Sequence, residues 1–137
     1  MDTGKSALGL DGNLAAAIGY PIGILAIICL IMEKENRFVK FHALQSILLH
    51  VAMMIVGIGL AIIFMIIGIV LGVAAAAANS SAGGGLAGIF GLLSFLIWIL
   101  ILVAYIGGLI MAAVKAYNGL MYKLPIVGNL AEKWTSS

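Results

Sequence analysis

The stretch ILLHVAMMIVGIGLAIIFMIIGIVLGVAAAAA, residues 47–78, decides how this chain meets its solvent. It has no Asp, Glu, Lys or Arg, and the charge-free run extends on both sides, from Lys40 to Lys115. A soluble helix of that length needs a polar face, so the solvent here is lipid. A helix rises about 1.5 Å per residue and a bilayer core is about 30 Å thick, so roughly 20 apolar residues cross it. Residues 47–78 exceed one crossing and fall short of two with a turn between them. They read as one long helix that tilts, starts in the interface or frays through residues 74–78.

Working outward, two further segments are long and apolar enough to cross, residues 14–32 and 89–114. The composition agrees: 64% of residues are hydrophobic and 9% charged, with a mean hydropathy of +1.26, where soluble domains carry about 25% charged residues. The fold class expected is an all-α integral membrane protein with three transmembrane helices. Residues 14–134 form one membrane domain behind a polar tail, residues 1–13. That tail carries Gly4, Gly9 and Gly12 with Asp2, Lys5 and Asp11. It reads as flexible, and it lacks the basic start and short apolar core of a cleaved signal, so the first span reads as an uncleaved anchor. Asn79 and the Ser/Gly run after it predict a loop over residues 79–88.

Lys and Arg at span ends stay on the cytoplasmic side. Lys34, Arg37 and Lys40 follow the first span, and Lys115, Lys123 and Lys133 follow the third, whereas the N-terminal side has only Lys5. Three crossings then put the N-terminus and the 79–88 loop outside and the C-terminus inside, in a plasma membrane or bacterial-type inner membrane. A net charge of +2 is too small to suggest nucleic acid as a partner. The single cysteine, Cys29, forms no internal disulfide and reads as packing.

The connection EKENRFVKFHALQS, residues 33–46, is the most informative polar segment. As a helix it places Phe38, Phe41, Leu44 and Leu48 on one arc and Glu33, Arg37 and Lys40 on another. That is the pattern of an amphipathic interfacial helix, with rings at the headgroup boundary and basic groups toward phosphates or water. Glu33, Asn36, Arg37, Phe38, Lys40, Phe41, His42 and Gln45 are the candidate contacts to a partner or a headgroup. His42 and His50 stand eight residues apart near Glu33 and Glu35, a spacing that matches no tight metal site. Residues 117–134 read as a second interfacial segment, because Gly119 and Pro125 end the third span and Tyr117, Tyr122 and Trp134 suit an interface. Leu124, Pro125 and Gly128 are its candidate contacts. Gly19 with Gly23, and Gly68 with Gly72, give small surfaces for close helix packing, and Pro21 is placed to kink the first span.

Chemistry is sparse. The acids are Asp2, Asp11, Glu33, Glu35 and Glu132, all outside the spans, and no nucleophile, base and acid converge. No enzyme activity, cofactor or metal is expected. Residues 33–46, with YKLPIVGNLAEK at residues 122–133, resemble the prokaryotic relatives of the Tic twenty-kilodalton subunit of the chloroplast inner-envelope import translocon, over residues 14–133. The resemblance implies membership of a protein-conducting assembly, in a short three-span form. The function expected from the residues is a non-catalytic accessory or structural subunit that packs against other membrane proteins or copies of itself. A translocation path formed by oligomerisation is the alternative that the resemblance suggests.

Overall fold

The computed structural model describes residues 3–78 and 81–135, and every named element in them is an α-helix. Met1 and Asp2 of the expected tail, and Asn79 and Ser80 of the expected loop, lie outside the described residues. The helices are α1 (Gly12–Ile18), α2 (Gly23–Met32), α3 (Arg37–Ala78), α4 (Ser81–Tyr117) and α5 (Val127–Thr135).

The first hydrophobic segment is not a single crossing helix. Pro21 lacks the N–H that would continue the ladder; α1 stops at Ile18 and α2 begins afresh at Gly23. The chain then doubles back. A Cβ on Gly12, at the start of α1, would stand 3.1 Å from Asn36 Nδ2, beyond the end of α2, whereas a straight helix over residues 12–32 would part its ends by about 30 Å. With 10 residues, α2 rises only about 15 Å, half a bilayer core. Small side chains let the two arms approach: Ala15, Ala26 and Cys29 are buried together with Val39 and Ala43 of α3.

The expected flexible tail is also corrected, because backbone groups near the chain start find partners further along. The Ala7 N–H donates to Glu33 Oε2 at 2.8 Å, and Asn36 Nδ2 donates to the carbonyls of Thr3 (2.7 Å) and Lys5 (3.2 Å). Asn13 Nδ2 donates to the Tyr117 carbonyl at 2.9 Å. Residues 3–13 therefore lie beside the connection after α2 and the end of α4, the two places that three crossings would set on the opposite side.

Nor is there a separate interfacial helix over residues 33–46. Residues 33–36 are a short connection, and α3 then runs unbroken from Arg37 to Ala78. No Gly or Pro interrupts it before Gly57, and Asn36 caps its start by accepting from the Val39 N–H at 3.2 Å. The expected loop is likewise largely helix, since α4 begins at Ser81. Glycine weakens a helix in water by about 1 kcal/mol relative to Ala, but away from water an unpaired backbone costs more than that. Gly83 also needs its missing side chain, because a Cβ there would stand 2.6 Å from Ala75 Cβ.

The chain divides into two compact units, a terminal unit (Met1–Ala52 with Ile106–Ser137) and a hairpin unit (Met53–Tyr105). In the hairpin unit, half-buried positions recur every three or four residues, at Phe64, Gly68, Leu71 and Ala75 of α3 and at Phe90, Ser94, Trp98 and Ile101 of α4. That spacing makes one antiparallel seam. Trp98 lies 3.5 Å from where a Gly57 Cβ would be, and Phe64 meets Phe90 edge to face at 6.0 Å. All other faces are exposed. Bulky exposed side chains run from Met54 to Val73 and from Leu86 to Val103, about 28 Å and 26 Å of helix, close to a bilayer core of about 30 Å. The terminal unit instead has a core, in which Ala16, Ala17 and Tyr20 pack with Ala112, Ala116, Leu124 and Val127.

Candidate functional site

The polar residues singled out in the sequence gather in the terminal unit around the first three turns of α3. His42, Gln45 and Ser46 sit at positions i, i+3 and i+4, hence on one helix face, and all three are wholly buried. They meet the turn between α1 and α2 and the segment after α4, residues 118–128.

The hydrogen bonds define one arrangement of protons. The Leu124 N–H can only donate, so the Gln45 atom 3.0 Å from it is Oε1. Gln45 Nε2 then spends its two hydrogens on Tyr20 Oη (2.6 Å) and the Tyr122 carbonyl (3.1 Å). Tyr20, having accepted there, gives its own hydrogen to His42 Nδ1 at 2.9 Å. His42 must then carry its ring hydrogen on Nε2, where it donates to the Leu120 carbonyl at 3.1 Å. The imidazole is the neutral Nε2–H form, held edge-on by Phe38 and Phe41 with ring centroids 4.6 and 5.0 Å away. Ser46 Oγ donates at 2.9 Å to the Gly19 carbonyl, which α1 leaves without a helical partner where it ends. Among the described residues, no buried side-chain nitrogen or oxygen lacks a partner.

Gly128 closes the arrangement. A Cβ there would stand 2.6 Å from Gln45 Oε1 and 2.8 Å from Lys123 Cα, so only glycine lets α5 approach this closely. The two segments expected to be separate contact surfaces are thus largely each other's partners. Phe41, His42, Gln45, Leu124 and Gly128 are buried within the chain and cannot reach an outside partner or a headgroup. Glu33, 6% exposed, accepts from the Ala7 and Asn36 N–H groups, and Asn36 serves as the cap of α3. Phe38 and Lys40 are half-buried, while Arg37 and Pro125 stay at the surface. Of the glycines, Gly19 packs against Ala26 and Gly23 against the His50 ring; Gly68 lies in the α3–α4 seam, while Gly72 faces open space.

Tyr20, Ser46 and the carbonyls of Gly19, Leu120 and Tyr122 were not singled out by the sequence. The available signal was the shared face of His42, Gln45 and Ser46. Two acceptor-hungry side chains and a histidine on one face require partners, though not which ones. Chemically the cluster is a clasp: both imidazole nitrogens and all three amide positions are occupied by partners within the chain.

Residues 7–131 match the magnetosome magnetite crystal formation protein family, over most of the 137-residue chain. The chain belongs to that family. It is similar to a UPF0132 membrane protein of Methanocaldococcus jannaschii, 35% identical over 133 residues and covering 96% of each chain. A UPF0132 membrane protein of Archaeoglobus fulgidus is 34% identical over 122 residues, covering 88% of this chain and 92% of the relative. A second UPF0132 membrane protein of M. jannaschii is 34% identical over 129 residues, covering 93% and 73%. No solved structure matches. This is a membrane protein, and the resemblance to the Tic subunit is corrected by these matches: the family and its relatives are archaeal-type UPF0132 and magnetosome proteins. The residues that suggested the translocon are, in this chain, those that build the clasp.

Proposed function

We propose that the protein is a non-catalytic membrane subunit that works by lateral association, crossing the bilayer twice with its hairpin unit and keeping both termini on one side. The observation that carries this reading is the hairpin unit itself. Its two helices touch along a single seam and, among the described residues, bury none fully, leaving apolar faces about as tall as a bilayer core. Such faces are covered by lipid or by another apolar helix, and outward small residues such as Gly72, Gly88 and Gly91 let a second helix approach closely. The polar chemistry of the terminal unit is spent internally, which leaves association as the function best supported. A translocation path has no remaining support once the translocon resemblance falls.

The name of the family refers to magnetite crystal formation. A mineral-facing surface would use ranks of carboxylates, and among the described residues no three His, Cys, Asp or Glu side chains gather where they could hold a metal ion. The proposal therefore takes from the family its membrane setting and not the mineral.

Two measurements test it. A photo-crosslinking residue at Gly72 in native membranes is expected to give adducts with a membrane protein or a second copy, and one at Gly68 to give adducts within the chain. Lipid adducts alone at Gly72, with a monomeric species in mild detergent, would remove the association. For topology, Ala7→Cys and Asn129→Cys in a Cys29→Ala background are expected to react with an impermeant maleimide from the same side. Reaction from opposite sides would restore three crossings.

A further inference from the structure

α5 carries three arcs rather than two. Val127, Gly128 and Ala131 are buried against the terminal unit, and Asn129, Glu132 and Lys133 form a polar arc. Between these lies a third stripe, Leu130 and Trp134, four residues apart and therefore on one face, with Ile126 immediately before the helix. Ile126, Leu130 and Trp134 are 77%, 40% and 56% exposed. An apolar stripe left open beside a packed face means something other than this chain covers it.

Ile126 sharpens the point. Its φ of 66° makes it, among the described residues, the non-glycine with left-handed backbone, a conformation especially unfavourable for a β-branched side chain. Asn or Gly would adopt it with less strain. A strained isoleucine is usually repaid by burial within the fold, yet this one is, among the described residues, the most exposed large hydrophobic side chain.

We propose that α5 lies in the membrane–water interface, with Ile126, Leu130 and Trp134 entering the boundary between headgroups and acyl chains. A lipid surface fits better than a protein groove on three counts. Trp134 is the residue type that belongs at that depth, with an apolar ring and an N–H to place among headgroups. Lys133, exposed next to Trp134 in the sequence, is a side chain whose stem can cover apolar surface beside an anionic headgroup layer, while the Lys123 amine is held by Glu132 at 2.7 Å. The helix begins at Val127, one non-helical connection after α4 leaves the apolar region at Tyr117. The inference rests on the membrane setting and is independent of the lateral association proposed above.

The chain contains two tryptophans, so the emission of Trp134 is obtained as the difference between the native protein and Trp134→Phe. Both would be reconstituted in phosphatidylcholine–phosphatidylglycerol vesicles with or without bromine on the acyl chains near the headgroup. The Trp134 signal is expected to fall roughly twofold in brominated lipid, as for an interfacial ring, while staying shielded from aqueous acrylamide. Quenching by acrylamide and not by bromine would place α5 in water and overturn the proposal. Shielding from both would mean that protein covers the stripe, and would overturn it equally. Ile126→Asn supplies the second arm: asparagine suits the left-handed backbone but not the lipid, so folding should be retained while bromine quenching of Trp134 weakens. Unchanged quenching in that variant would exclude Ile126 from the lipid-facing edge.

Discussion

The terminal unit and the hairpin unit are built from the same two long helices, yet they are held together by different physics. In the hairpin unit no described residue is fully buried, and contact is a seam of small, aliphatic and aromatic residues. In the terminal unit, Tyr20, His42, Gln45 and Ser46 are fully buried with every polar atom satisfied. The difference teaches where directionality is needed. Two apolar helices in lipid already have their backbones paired internally and gain from close packing. A place where the chain leaves the helical pattern four times, at 19–22, 33–36, 118–126 and before residue 12, strands backbone groups that only side-chain hydrogen bonds can satisfy.

Gln45→Leu is the strongest attempt to break this distinction. It keeps apolar bulk but leaves the Leu124 N–H and the Tyr122 carbonyl buried without partners, and takes a donor from Tyr20. The expected loss is on the order of 3–5 kcal/mol, from about 1–3 kcal/mol for each stranded group. It should be seen as a lower unfolding midpoint in mixed micelles with accelerated amide exchange at Leu124. A loss below about 1 kcal/mol would mean that the clasp does not hold the unit together. Gly128→Ala should come next, at about 1–3 kcal/mol, because its Cβ must displace Gln45 or the Lys123 backbone.

The smallest effects sharpen the other side of the comparison. Gly57→Val, pressed against Trp98 at 3.5 Å, is expected to cost about 1–2 kcal/mol through overpacking of the seam. Gly72→Val, with nothing within 4 Å, should stay within about 0.5 kcal/mol in unfolding of the isolated chain. Equal costs for the two would contradict a single seam.

Much of this protein was legible before any coordinates. The absence of charge between Lys40 and Lys115 is enough to require helices in lipid, because only internal hydrogen bonding satisfies a backbone there. Pro21 and Gly119 marked real breaks, since each acts through its own local geometry. The importance of His42 and Gln45 was visible as polarity where lipid would not welcome it. Their role was not, because a histidine that faces a headgroup and one that faces a carbonyl 78 residues away have the same sequence neighbours. The helical state of residues 81–88 was misread for a related reason: glycine propensities describe water, and only the setting says whether water is present.

What the sequence by itself determined is the solvent and the helical state of the long apolar runs. Which breaks reverse the chain, which polar residues are turned inward and which glycine must admit another backbone were decided by tertiary structure alone. The reason is physical. Hydropathy and local propensity act over a few residues, whereas a hydrogen bond between Gln45 and the Leu124 N–H exists only once two residues 79 positions apart have been brought within 3.0 Å.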